Sequence, residues 1–258
     1  MRDALRAALE AVYAKRLMAK VQKGQVPRHI GVMVDGNRRW AKSIGLDNPS
    51  DGHRVGGAKI PTLLKWCDAV GIESVTLFLL SDDNLNRPED EVSALVTIID
   101  DTVTALAADG HPWPIKAIGA LDLLPADLAA RLKENSARTA DRTGGVQVNV
   151  AVGYGGQREV ADAVKSAIEE YLDSGQSLDD LAMNFDVDLI SRHIYTAGQP
   201  PVDLIIRTSG EQRLSGFMLW QSVYAEIHFC ECYWPDFRLL DFLRAMRSYS
   251  NRGRRFGR

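Results

Sequence analysis

The chain is poor in cysteine, with three among 258 residues. Cys67, Cys230 and Cys232 are too few and too irregularly spaced for the disulfide framework of a small secreted protein. Cys230 and Cys232 alternate along a stretch that reads as strand. No second Cys or His pair stands at zinc-ligand spacing, so buried, inert thiols are the expectation. Long hydrophobic runs are missing as well. Nothing approaches the ~20 consecutive apolar residues that a membrane span requires. The first 23 residues carry charges throughout and have no continuous apolar stretch, so they do not read as a signal peptide. These absences predict a cytoplasmic protein. An excess of one charge sign is also lacking. Lys and Arg number 31 against 34 Asp and Glu, a net charge of −3. That gives no bulk attraction to nucleic acid or to an anionic membrane. The local exception is residues 250–258, a basic tail with Arg252, Arg254, Arg255 and Arg258. It reads as a solvated chain end.

Several catalytic motifs are absent too. There is no G-x-x-x-x-G-K-[ST], which excludes a P-loop NTPase. Gly153-Tyr154-Gly155-Gly156 is glycine-rich but does not complete G-x-G-x-x-G, which argues against dinucleotide binding. There is no G-x-S-x-G nucleophile elbow. His29, His53, His111, His193 and His228 show no H-E-x-x-H spacing. No D-D-x-x-D run is present.

What remains is an ordinary globular composition, 45% apolar and 25% charged, with strands and helices in alternation. Residues 1–25 form an N-terminal segment. Within it Leu5, Leu9, Val12, Leu17 and Val21 recur near helical spacing, which predicts an amphipathic helix over 3–23. Packing on the domain is one reading of that helix, and peripheral membrane contact is the other. Almost fully apolar runs at 29–34 and 74–80 read as buried strands. Further strands are expected at 115–120, 146–152, 203–206 and 227–230. Helices are expected at 52–71 (kinked at Pro61), 89–108, 125–142, 156–172, 186–195 and 237–249, with 177–185 as loop or short helix. This pattern predicts a single α/β domain over 1–258, with a largely parallel central sheet flanked by helices.

Three predicted strand ends carry polar clusters, where open α/β sheets place their sites. The first is Asp35-Gly36-Asn37-Arg38-Arg39-Trp40. Asp35 offers a hard oxygen ligand, and Gly36 lets backbone approach an anion closely. Asn37, Arg38 and Arg39 supply donors. The second is Ser81-Asp82-Asp83-Asn84-Leu85-Asn86-Arg87-Pro88. The third is Arg207-Thr208-Ser209-Gly210-Glu211-Gln212-Arg213, with Leu214 and Ser215 close behind. Arginine forks suit phosphate oxygens. Mg²⁺ is usually held by one or two carboxylates together with substrate phosphates. One carboxylate among several arginines therefore suggests a Mg²⁺-diphosphate site. For any single one of these arginines an ordinary surface salt bridge is the better reading; three clusters, each at a strand end, favour the site.

Met33-Val34-Asp35-Gly36-Asn37-Arg38-Arg39-Trp40-Ala41-Lys42 closely resembles the first signature of the cis-prenyltransferases, the undecaprenyl diphosphate synthase family. Gly52-His53 matches that family's Gly-His. The stretch from Ser81 to Pro88 is similar to its Ser-x-Glu-Asn-Trp-x-Arg-Pro. The stretch from Arg207 to Ser215 looks like its Arg-Thr-x-Gly-Glu-x-Arg-x-Ser, and Phe217 to Glu226 matches the aromatic stretch that follows. The blocks run in the family's order over about residues 29–235. The resemblance implies a transferase that joins isopentenyl diphosphate to an allylic prenyl diphosphate using Mg²⁺, with an apolar cleft for the growing chain. It makes Asp35 the central carboxylate and Mg²⁺ ligand, with Glu226 a second ligand. It assigns Gly36, Asn37, Arg38, Arg39, Trp40 and His53 to the allylic diphosphate. Asn84 becomes the catalytic polar group of the second loop, with Ser81, Asp82, Asp83, Leu85 and Arg87 of that loop binding substrate and Arg87 supporting the loop. Arg207, Arg213, Leu214 and Ser215 would hold isopentenyl diphosphate. A homodimer is also implied, with residues 217–229 at its interface; buried core explains those aromatics equally well.

This sequence departs from the family's pattern at several points. Arg38 replaces a usual glycine, and the segment between Gly45 and Gly52 lacks a usual arginine. Asp83 stands for Glu and Leu85 for Trp. Leu79 occupies a strand position that is small in long-chain members. Filled apolar space cannot also hold a chain. Leu79, with Leu85 nearby, therefore predicts a short product, with (2Z,6E)-farnesyl diphosphate made from geranyl diphosphate as the best match. A longer polyprenyl product and a non-catalytic partner subunit are the alternatives. A nucleotide or phosphosugar transferase would need a polar site instead.

Overall fold

The structure is a computed structural model that describes residues 2–251, with side chains from residue 9 onward. The basic tail from 252 lies outside the described residues. Six strands form one sheet: β1 (His29–Met33), β2 (Ser74–Ser81), β3 (Ile115–Ile118), β4 (Gln147–Tyr154), β5 (Leu204–Arg207) and β6 (Glu226–Phe229). Their order is β3-β4-β2-β1-β5-β6, and every pair is parallel. Burial of β1 and β4 on both faces explains their near-continuous apolar sequence. The chain leaves β1 toward β2 on one side and returns to β5 on the other. This is the switch point at which open parallel sheets leave a crevice beyond their carboxyl ends.

The helices are α1 (Arg2–Val21), α2 (Asn37–Ser43), α3 (Pro49–Val70), α4 (Glu89–Ala107), α5 (Ala126–Thr139), α6 (Gly156–Asp173), α7 (Leu178–Asn184), α8 (Val187–His193) and α9 (Leu239–Asn251). α3 begins three residues before the expected Gly52, because Asn48 caps it through the Ser50 N–H and Pro49 fits its first turn. It continues unbroken past Pro61. The ambiguous 177–185 stretch contains a helix, closed by a reciprocal capping box between Ser177 and Asp180. In α1, Leu17 and Val21 are buried, but Leu9 and Val12 are 62% and 52% exposed. The apolar spacing therefore reports two faces of the helix and not one buried stripe. No helix among the described residues is long and apolar enough to cross a membrane.

One irregularity bears on the site. Phe78 of β2 pairs with Ala151 and Leu80 with Val152, so Leu79 is an extra residue in the ladder. Such a bulge re-aims a side chain.

Candidate active site

The carboxyl ends of β1, β2 and β5 open into a cavity of about 580 Å³. Asp35 stands two residues beyond β1. Its backbone N–H donates to Thr208 Oγ1 at 3.0 Å, and the Thr208 hydroxyl lies 2.7 Å from the Asp35 carbonyl. Gly36 follows at φ 99°, and a Cβ there would lie 2.7 Å from the Tyr233 ring and 3.1 Å from Ser209 Cβ. Only glycine turns the chain here without strain or clash. The backbone then enters α2, which carries Asn37, Arg38 and Arg39.

Asp35 is held by four groups. Arg207 Nη2 and Ser209 Oγ donate to its Oδ2 at 2.9 and 3.0 Å. The Gly36 N–H donates to Oδ1 at 2.6 Å, and Arg39 Nη2 lies 3.5 Å from Oδ1. Burial by itself would raise the carboxyl pKa. The hydrogen bonds from Arg207 and Ser209, with the charges of Arg207 and Arg39, outweigh it and hold the pKa below the ordinary value. Asp35 is therefore ionised at neutral pH. Ser209 has a positive φ of 83°, an unusual conformation for a residue with a side chain. The backbone N–H groups of Ser209 and Gly210 fix this turn by donating to the Cys232 and Cys230 carbonyls, each at 2.8 Å.

The remaining arginines form two bridged pairs. Arg38 and Arg87 both donate to Glu91 Oε1, at 2.9 and 2.7 Å. Arg39 and Arg213 both contact Glu211, at 3.1 and 2.6 Å. Arg39 also donates to Ser209 Oγ at 2.7 Å and lies 5.6 Å from the Tyr233 ring centroid. Arg207 is 4% exposed; it donates to Ser215 Oγ at 3.2 Å and to the Arg213 carbonyl. Beside the first pair, His53 lines the cavity with no partner for its buried Nε2. Burial first, then the charges of Arg38 and Arg87, push its imidazole down to about 4. In the second loop Asp82 caps a short turn by accepting the Asp83 N–H, and Ser81 Oγ accepts the Asn84 N–H at 3.1 Å. The cavity is also lined by Met33, Val34, Phe78, Leu79, Leu80 and Leu95.

Most of the predicted residues therefore meet around one cavity: Asp35, Gly36, Asn37, Arg38, Arg39, His53, Leu79, Ser81, Asp83, Asn84, Arg87, Arg207, Arg213 and Ser215. Trp40, Asp82, Leu85 and Leu214 are not among its lining residues. Leu85 packs on the main core and Leu214 on a second apolar cluster. Glu226 is at the other end of the sheet. It opens β6 three residues before Phe229, which is level with Arg207 and hence with Met33. Asp35 lies two residues beyond Met33, so the two carboxylates are five residues apart in register, roughly 16 Å along the strands at ~3.3 Å per residue. A single chain does not bring Glu226 to Asp35. Sequence reasoning passed over Glu91 and Ser209. Glu91 had a signal, since it follows Arg87 by one helical turn. Ser209 had none beyond its motif.

The arrangement is an anion site: five arginines held by the carboxylates of Asp35, Glu91 and Glu211. Such a site suits a diphosphate. The chain belongs to the cis-prenyltransferases, since the family model described as "Putative undecaprenyl diphosphate synthase" matches residues 33–257. It is 58% identical to isoprenyl transferase 2 of Streptomyces coelicolor, with both chains fully covered. It is 54% identical to the (2Z,6E)-farnesyl diphosphate synthase of Thermobifida fusca over 98% of each chain. Among solved structures it resembles lavandulyl diphosphate synthase from Lavandula x intermedia in complex with dimethylallyl diphosphate. The TM-score there is 0.81 at 31% identity, covering 90% of this chain and 99% of that one. The chain is thus a Z-isoprenyl diphosphate synthase.

Proposed function

We propose that this enzyme condenses isopentenyl diphosphate with geranyl diphosphate and stops at (2Z,6E)-farnesyl diphosphate. The observation that carries the reading is Leu79, an extra residue in β2 that lines the cavity behind the arginines. A relative 54% identical to this chain bears the name of that activity.

Arg38, Arg39 and Arg87, with the Gly36–Asn37 turn, bind the allylic diphosphate. Arg207, Arg213 and Ser215 bind that of isopentenyl diphosphate. The donor set fits Mg²⁺: Asp35 is ionised, and among the described residues no cluster of three or more His, Cys, Asp or Glu forms a closed metal cage. Asp35 would thus be the protein ligand, with phosphate oxygens completing the shell. A bound Mg²⁺ supplies charge stabilisation on the departing diphosphate. The arginines add to it from fixed positions. The allylic C–O bond breaks, and its electron pair leaves with diphosphate. The isopentenyl double bond supplies the pair for the new C–C bond, and a proton leaves to form the Z double bond. Asn84, which lines the cavity, would orient the group that loses this proton. The apolar walls keep water from the cationic carbon.

The assembly is a homodimer closed through the β6 edge, where Leu219, Val223 and Tyr224 are 48%, 67% and 78% exposed. Light scattering on purified protein tests that. The chemistry is tested with labelled isopentenyl diphosphate and Mg²⁺, offering dimethylallyl, geranyl and farnesyl diphosphates separately. A Z-farnesyl product from geranyl diphosphate is expected, and Leu79→Ala lengthens it. A long polyprenyl product from the unaltered enzyme overturns the short-chain reading. No product from folded protein would favour a non-catalytic subunit.

A further inference from the structure

Three spaces lie in series behind the arginines. The first is the cavity of about 580 Å³. The second is a void of about 40 Å³, which shares Val34, Asn37, His53, Leu79 and Leu95 with the cavity. That is less than a tenth of the cavity's volume. The third is a groove of about 280 Å³ on the outer side of α3 and α4, floored by Gly57, Ile98 and Thr102. Those three residues also wall the void. They therefore stand between the void and the groove.

The closure at this seam is tight. A Cβ placed on Gly57 would lie 2.5 Å from Thr102 Oγ1. The Thr102 hydroxyl donates to the Ile98 carbonyl one turn back at 2.7 Å, which fixes the side chain against the glycine. Small residues on α3 let the helices approach, and Thr102 fills the remaining gap.

The geometry points to a second length-limiting residue: Thr102 closes the path beyond Leu79, so product length is set by two closures in series. This rests on the reading of Leu79 given above. Removing the first closure joins the cavity to a void that ends at Thr102. Removing both connects the cavity to an apolar groove open at the surface, where a chain can continue. Removing Thr102 alone changes no product length, because Leu79 still stands in front of it.

The test is the product distribution of Leu79→Ala, Thr102→Ala and the double variant, with geranyl diphosphate and labelled isopentenyl diphosphate. Leu79→Ala is expected to shift the main product by about one isoprene unit. The double variant is expected to extend it by at least two more, a gain larger than the sum of the single effects. Leu79→Ala/Thr102→Leu, which refills the seam, should return the distribution to that of Leu79→Ala. Circular dichroism and thermal unfolding establish that each variant is folded. If Leu79→Ala lengthens the product and the double variant adds nothing, the seam inference fails and the Leu79 reading stands. If Leu79→Ala leaves the product unchanged, both fall.

Discussion

Replacing Asp35 by asparagine separates the two roles its carboxylate plays. Each oxygen faces two donors: Oδ2 faces Arg207 and Ser209, and Oδ1 faces the Gly36 N–H and Arg39. Whichever way an asparagine amide is flipped, its NH₂ replaces an oxygen at which donors point. One unsatisfied contact of this kind costs about 1–3 kcal/mol. Asp35 is 35% exposed, so water relieves part of it and about 1 kcal/mol is the expected loss of stability. The catalytic loss should be larger. Removing one fixed electrostatic stabiliser typically lowers kcat ~10²–10³-fold. Urea unfolding and steady-state prenyl transfer, each over a Mg²⁺ series, measure both. The stability difference also depends on pH. The folded carboxyl pKa is depressed, so its stabilisation is present above the unfolded value of 3.8 and disappears as pH falls through the folded value. The gap between wild type and Asp35→Asn should therefore close in acid. A variant that keeps kcat within tenfold at an unchanged Mg²⁺ requirement would refute the assignment of Asp35.

Gly52→Ala should be poorly tolerated. Its Cβ would lie 2.1 Å from the Asn37 carbonyl oxygen, where α3 crosses α2. Overpacking against backbone costs ~1–3 kcal/mol, so the urea midpoint and the activity should fall together. His53 is neutral in the folded protein, and the unfolded chain takes up its proton first. Stability should decline as pH drops from 6.5 toward about 4, and His53→Gln should flatten that part of the urea profile. Arg38→Gly should raise KM for the allylic diphosphate up to about tenfold, ~1.4 kcal/mol. An unchanged KM would mean that Arg38 serves only its ion pair with Glu91.

The alternation of elements was legible because buried parallel strands read as apolar runs bounded by polar loops. Strand order was not legible, since placing β4 between β3 and β2 depends on packing between distant segments. The polar half of the site could be read because its residues cluster just past strand ends, and the fold then converges those ends. Side-chain direction was harder. Asp82 and Asp83 are neighbours, yet one caps a turn and the other lines the cavity. Leu79 could be singled out by position, but the bulge that makes it an extra residue opposite β4 arises from local register. Glu226 shows the limit of a motif match, which transfers a role without its location in one chain.

The bridged arginines account for how such a crowded positive site stays ordered before substrate arrives. Arg38 with Arg87, and Arg39 with Arg213, would repel each other across an empty cavity. Glu91 and Glu211 each offset one of the two charges in a pair and fix its direction. These ion pairs are partly exposed, with Arg38 at 49% and Arg213 at 66%. Such pairs are worth at most about 1 kcal/mol each. A diphosphate offers shorter, charge-assisted and bidentate bonds, so it outcompetes the glutamates with little penalty. Arg207 differs. Its side chain is 5% exposed, so parting it from Asp35 would leave the guanidinium without its carboxylate, a loss of the same order as that of Asp35→Asn. The Asp35–Arg207 pair is therefore the fixed element of the site. On the function proposed above, the other four arginines would turn from carboxylate to phosphate around it, while Arg207 would meet phosphate from a fixed position.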